Sequence, residues 1–264
     1  AKCSEPLPIR WSRTLPKGAE PSTITVKLDP SGRWSVSLLI NDEAIQPLPK
    51  VDKAIGIDAG ITNLITTSDG EKVANPKHFA KFYQKLRRAQ KRLSRKHKGS
   101  RNRHQARLKV ARVHAQIRDA RQDFLHKLTT RLVRENQTIV AESLAVKNMG
   151  QNRKLARAIS DAAWGELMRQ LAYKAAWYGR NFVQLDRWFP GFKTCSKCGH
   201  KVDLLPLNIR EWDCPQCEAH HERDVNAALN HLAAGQAVLV CGATVRPEES
   251  KSRKAGARKQ KPKS

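Results

Sequence analysis

The stretch AIGIDAGITNLITTSDG, Ala54 to Gly70, decides how the chain is expected to fold. A short apolar run, Ala54 to Asp58, ends in a carboxylate; Ala59-Gly60 turns the chain, and a second run follows from Ile61 to Thr67 before the turn residues Ser68-Asp69-Gly70. Apolar runs of this length bounded by Gly, Ser and Asp predict strands joined as a meander. An acid at the end of a buried strand is costly unless it is paired or used, so Asp58 is a candidate functional residue.

Working outward to the N-terminal side, Thr23 to Leu28 and Arg33 to Ile40 flank the turn Asp29-Pro30-Ser31-Gly32, which predicts a hairpin. Gln46-Pro47-Leu48-Pro49 reads as a linker. The chain opens on Ala1 in Pro-rich sequence without an initiator Met, the pattern of a fragment or a processed copy.

On the C-terminal side, Lys77 to Arg112 holds 15 Lys or Arg and no acid. Apolar residues still recur at helical spacing, first Phe79, Phe82, Leu86 and Leu93, then, after a break at Lys98-Gly99-Ser100, Val113, Ile117, Ala120, Phe124 and Leu128. Two long helices in a hairpin are predicted. A run of charge is ordinarily a solvated face, but the absence of acids favours a polyanion, with Lys85, Arg87, Arg88, Lys91, Arg92, Arg95, Lys96, Arg101 and Arg103 as candidate contacts. The whole chain points the same way: 264 residues carry 50 Lys and Arg against 24 Asp and Glu, a formal charge of +26. Such a field concentrates nucleic acid. An anionic membrane would attract it too, but there is no apolar run of about 18 residues and no N-terminal signal pattern, so a soluble intracellular protein is expected.

Thr138 to Glu142 (TIVAE) is a second apolar strand ending in an acid. A helix is predicted from about Ser160 to Tyr178, with Ser160 or Asp161 as its cap and Gly179 as its stop. A strand follows at Phe182 to Leu185, then a helix from Asp224 to about Ala233 and a basic tail read as disordered.

Between these last two elements stand Cys195-Ser-Lys-Cys198 and Cys214-Pro-Gln-Cys217, separated by 15 residues. Two such knuckles bring four thiolates around one tetrahedral Zn²⁺; a pair of redox motifs is the competing reading. Gly199 supplies a permissive backbone after the first knuckle, and Glu218 stands at the matching place after the second. His200, His220 and His221 could substitute as ligands, but four cysteines already close a structural site, so they are read as surface groups or nucleic-acid contacts, and Cys3 and Cys241 as small buried hydrophobes.

Phosphodiester hydrolysis with two Mg²⁺ ions needs carboxylates that converge on ions about 4 Å apart. Singly, Asp58 reads as a turn residue, Glu142 as a sheet-edge acid and Asp224 as a helix cap. Together, at two strand ends and one helix start, they form a candidate metal-binding set. Asp161 and Glu222 are possible accessory groups.

GIDAGITNL (56 to 64), QDFLHKLTTRLV (122 to 133), IVAESL (139 to 144), ISDAAWGELMRQLAYKAAWYGR (159 to 180), FPGFKTCSKCG (189 to 199) and the block from CPQC (214 to 217) to RDVNAALN (223 to 230) resemble, in order and spacing, the TnpB or OrfB proteins of insertion sequences. The resemblance implies an α/β chain: an RNase H-like RuvC core with an inserted basic helical hairpin and a zinc ribbon, preceded by a partial β-barrel. Its implied divisions are a wedge-type barrel remnant (1–50), a nuclease core (51–188) containing the hairpin (77–132), the ribbon (189–222), a last RuvC segment (223–245) and the tail (246–264). It implies a transposon-encoded, RNA-guided DNA endonuclease of the bacterial or archaeal cytoplasm, associated with the nucleoid. Asp58, Glu142 and Asp224 would bind two catalytic Mg²⁺, and the four cysteines a structural Zn²⁺. The implied partners are a guide RNA from the transposon end and double- and single-stranded DNA. The family's front, a recognition bundle and most of the barrel, has no counterpart before residue 9, so the alternative is a non-catalytic remnant competing for guide RNA or DNA. The chain departs from the family pattern at Gly191-Phe192, usually small polar residues, and at Glu218, usually Gly.

Overall fold

The computed structural model describes residues 8–12, 14–41, 46–206 and 208–240. Cys3, Cys241, the basic tail and parts of the first and last predicted segments lie outside the described residues.

The predicted meander forms β3 (Ala54–Ala59), β4 (Asn63–Thr67) and a third, short strand, β5 (Lys72–Ala74). They pair antiparallel, while β6 (Thr138–Glu142) runs parallel to β3 and β7 (Asn181–Leu185) parallel to β6. The sheet order is β5-β4-β3-β6-β7. Both faces are covered, which is why β3 and β6 read as nearly continuous apolar runs.

Alternation along the strands sorts residues to the two faces. Ile55, Ile57, Ile139 and Ala141 pack against Leu125, Leu128 and Leu132 of α2 (Arg101–Glu135) and Leu167 and Leu171 of α5 (Trp164–Trp177). On the other face lies α6 (Arg223–Val240), so close that a Cβ at Gly56 would stand 2.0 Å from the Ala228 carbonyl oxygen and one at Gly235 2.3 Å from the Val140 side chain. Gly235 is therefore a packing glycine inside the helix. The predicted end near Ala233 falls short, because the helix runs on through Gly235, where it packs on the sheet.

After a single turn, α3 (Val146–Met149), the predicted helix from Ser160 to Tyr178 is two helices, α4 (Ala156–Ala162) and α5, separated by Ala163 at φ 52°. Neither Ser160 nor Asp161 caps it. Packing overrides local propensity here: the bend lets Ile159 and Ala162 on one side, and Trp164 and Leu167 on the other, enter one core. The same bend delivers Asp161 to another helix. Both its carboxylate oxygens accept from the Phe79 amide at 2.9 Å, capping α1 (His78–Ser94), and Oδ1 pairs with Arg121 at 3.0 Å. Gly179 stops α5 at φ 64°, as predicted.

At about 1.5 Å per residue α2 is roughly 52 Å long. Its C-terminal half lies in the core; its N-terminal half packs with α1 around Leu86, Val113 and Ile117. The hairpin β1 (Thr23–Leu28) and β2 (Trp34–Leu39) forms a separate two-stranded sheet. Asp29 and Arg33 pin it to Arg118 and Asp119 of α2. No helix among the described residues is long and apolar enough to cross a membrane.

Candidate functional site

Ile57 of β3 is registered with Ala141 of β6 in a parallel pair, so one further step sets Asp58 beside Glu142. Asp58 lies two residues beyond Gly56, and Glu142 two beyond Val140, so both share the face that α6 covers. Asp224, in the first turn of α6 and not at its cap, is one turn before the Ala228 that overlies Gly56. All three acids line one cavity of about 520 Å³, with Asn63, Arg187, Arg210 and His231. Two strand ends and one helix start are thus brought to one place by the tight crossing at Gly56 and Gly235.

Burial pushes the Asp58 carboxyl well above the usual carboxylate range, and the charges of Glu142 and Asp224 add to this. Burial also raises Glu142. Asp224 is paired with Arg210 at 3.2 Å. The donor set is oxygen from three carboxylates, which suits hard divalent cations such as Mg²⁺. Of the accessory acids considered from sequence, Asp161 is a helix cap and Glu222 pairs with Lys72 at 2.5 Å.

His231 and Arg210 were not singled out from the sequence. His231 is 2% exposed and its Nδ1–H donates to the Ile57 carbonyl at 3.0 Å, tying α6 to the residue before Asp58. Burial holds it below the usual histidine range. A Cβ at residue 191 would stand 2.7 Å from its Nε2, so Gly191 makes room for this imidazole. Phe192 packs into the cysteine cluster, with the Arg223 guanidinium 5.0 Å from its ring centroid. The departure at Gly191-Phe192 is thus matched by the surrounding packing.

The four sulfur atoms of Cys195, Cys198, Cys214 and Cys217 lie within 4.8 Å of one another. Cys195–Cys217 and Cys198–Cys214 are 3.7 and 3.6 Å apart. A tetrahedron with Zn–S bonds of about 2.3 Å has edges of about 3.8 Å, so the cluster fits one zinc ion. Gly199 and Glu218 both follow their knuckles at positive φ, 78° and 56°. β8 (Glu211–Asp213) and β9 (His220–Glu222) pair to carry the second knuckle. His221 is buried, with Nε2 3.0 Å from Cys195 Sγ, where it orients that sulfur; the surface role expected for it does not hold. His220 is exposed beside Asp213.

The ribbon is fastened to the helix that carries Asp224. Asn226 accepts from the Ser196 amide at 2.9 Å and donates to the Thr194 carbonyl at 2.7 Å, and Asn230 donates to the Gly191 and Thr194 carbonyls at 2.6 Å. The Arg223 amide donates to the Arg210 carbonyl at 2.8 Å.

A cavity of about 930 Å³ between α1 and α2 is lined by Lys85, Arg88, Arg92, Arg95, Lys96, Lys109 and Arg112. Five of these were expected from sequence; Lys109 and Arg112 join them because they repeat at helical spacing along α2. Arg87, Lys91 and Arg101 lie outside that lining. Arg103 donates to the Leu93 and Lys96 carbonyls, closing the hairpin.

Residues 25–153 match the IS605-type OrfB family, described as "Probable transposase", and residues 164–231 match a Cas12f1-like TNB domain. A "Putative RNA-guided DNA endonuclease" of Streptomyces pristinaespiralis is 60% identical over 253 residues, which cover 96% of this chain and 62% of that protein. The chain belongs to the TnpB, or OrfB, family. A second relative, "Putative RNA-guided DNA endonuclease InsQ" of Escherichia coli, is 36% identical over 229 residues, 81% of this chain and 57% of its own length. This TnpB-family chain thus spans about three-fifths of these relatives. In fold it is similar to the protein in a CRISPR-Cas12f ternary complex, with a TM-score of 0.52 at 20% identity over 81% of this chain and 46% of that one. A Cas12f1 chain solved with sgRNA and target DNA gives 0.50 at 18% identity, over 79% and 55% of the two chains.

Proposed function

We propose that this chain carries the nuclease centre of an RNA-guided DNA endonuclease, an RNase H-like RuvC core in which Asp58, Glu142 and Asp224 hold two Mg²⁺ ions. In this reading α1 and α2 are the inserted basic hairpin that follows guide RNA and heteroduplex, β1 and β2 belong to a wedge-type barrel, and the four cysteines hold structural Zn²⁺. The domain divisions given above go with it. The observation that carries the proposal is the convergence of three carboxylates from β3, β6 and α6 on one cavity whose own charges repel.

Bound there, the cations would supply a nucleophile at neutral pH and neutralise charge on the leaving oxygen. The chain's residues do the rest. Asp58 and Glu142, fixed by strand register, set the spacing of the site. Arg210 holds the Asp224 carboxylate, and the His231 bond to Ile57 locks α6 against β3. Cleavage of single- and double-stranded DNA, with and without guide RNA, should require Mg²⁺ and fall to background in Asp58→Ala, with nucleic-acid affinity nearly unchanged. A variant that still cuts would remove Asp58 from the site.

A further inference from the structure

Trp188 is the most exposed of the six tryptophans, with 77% of its surface open. It stands three residues past the end of β7, whose last residue, Leu185, is registered with Glu142. The turn that presents it is fixed: Asp186 Oδ1 accepts from the Trp188 amide at 2.8 Å, and the Phe189 amide donates to the Asp186 carbonyl at 3.0 Å. Phe189 points inward, packed on Val140, Val183 and Leu185, so its neighbour points out. The Arg187 guanidinium lies 4.8 Å from the Trp188 ring centroid, and Arg187 also lines the cavity of Asp58, Glu142 and Asp224. One cation therefore touches both the indole and the acidic site.

A large rigid ring held out of the core by a built turn, with an arginine beside it, matches what a single-stranded base needs: a π-face to stack on and a cation for its phosphate. Duplex bases have both faces occupied and cannot use it. We propose that Trp188 and Arg187 form a stacking platform for a base of single-stranded DNA beside the phosphate that cations held by the carboxylates would engage. The proposal rests on the nuclease reading of the cavity and names its substrate as an unpaired strand.

Total affinity is a poor probe, because the +26 charge of the chain binds phosphate at many places. High salt weakens those contacts and leaves stacking, so the test is run at about 0.5 M salt. A single-stranded oligonucleotide carrying 2-aminopurine is titrated with the zinc-loaded full chain in the Asp58→Asn background. Stacking on Trp188 should quench the probe; Trp188→Ala should lose the quench and bind about 10-fold more weakly, as expected for one base–aromatic stack. Trp188→Phe should retain most of both, and Trp177→Ala, at the end of α5, should match the parent. Zinc content and circular dichroism verify that each variant is folded. An unchanged quench and affinity in folded Trp188→Ala would overturn the platform, even where the parent cuts DNA. Loss of the quench in that variant would uphold it as a binding site even if the chain with Asp58 intact fails to cut.

Discussion

A carboxyl group that burial and two neighbouring carboxylates hold above its usual range destabilises the fold until a cation joins it. For Asp58 the sign is fixed by the raised folded value. Between the unfolded pKa of about 3.9 and that higher value the native state binds more protons, so stability falls as pH rises through the window. Asn cannot ionise. With zinc bound and Mg²⁺ withheld, Asp58→Asn should therefore be more stable than the parent at pH 7, by roughly 1 kcal/mol on the scale of active-site stabilisations. The margin should vanish toward pH 4, and a margin independent of pH in thermal melts would show that the charge is not its cause. Asp58 and Glu142 were legible in sequence because an acid ending an apolar strand stands out. Arg210, His231 and Trp188 were not: one more arginine in a chain with 50 Lys and Arg, one histidine on a helix and one tryptophan in a loop acquire meaning only from what folds beside them.

At the scale of elements, periodicity and turn residues found both hairpins, the strands β6 and β7 and the stop at Gly179, but two helix boundaries escaped them because tertiary contact set them. Ala163 is left-handed so that α4 and α5 can share a core, and Gly235 is in α6 to admit Val140. Local rules read the first as helix interior and ended the second helix near Ala233, before Gly235. The crossing of α6 over β3 depends on Gly56 more sharply still, since an added methyl meets backbone on three atoms within 3.0 Å. Gly56→Ala should cost about 3 kcal/mol or more, at or beyond the upper end of ordinary overpacking, because backbone cannot rotate away. Gly165, near the start of α5 with nothing within 4 Å of its added Cβ, is the contrast. Gly165→Ala should stabilise by roughly 0.5–1 kcal/mol through helix propensity. Denaturant midpoints of the two variants moving in the same direction would mean that α6 does not press on β3 as closely as described.

Across the whole molecule, charge is segregated along one rod. The N-terminal third of α2 and all of α1 carry no acid, whereas Asp119, Asp123 and Glu135 enter only where α2 runs into the core. Mutual repulsion among the cations destabilises that projecting end. The fold tolerates it because Asp161 caps α1 and anchors Arg121 at its base, and because Leu86, Val113 and Ile117 bind the two helices together. A groove so built is relieved by a polyanion, and the relief is measurable as counterion release. Each phosphate contact contributes about 0.9 to the slope of log K against log salt on duplex nucleic acid. Replacing Arg88, Arg92, Arg95 and Lys109, which line the groove, by Gln should flatten that slope by about 3 to 4 if all four meet phosphate. Lys127 and Arg134, at the far end of α2, should change it little when replaced in the same way. Anisotropy titrations over a series of salt concentrations read the slope directly. An unchanged slope in the fourfold variant would place the nucleic acid elsewhere and leave the acid-free stretch as a solvated surface.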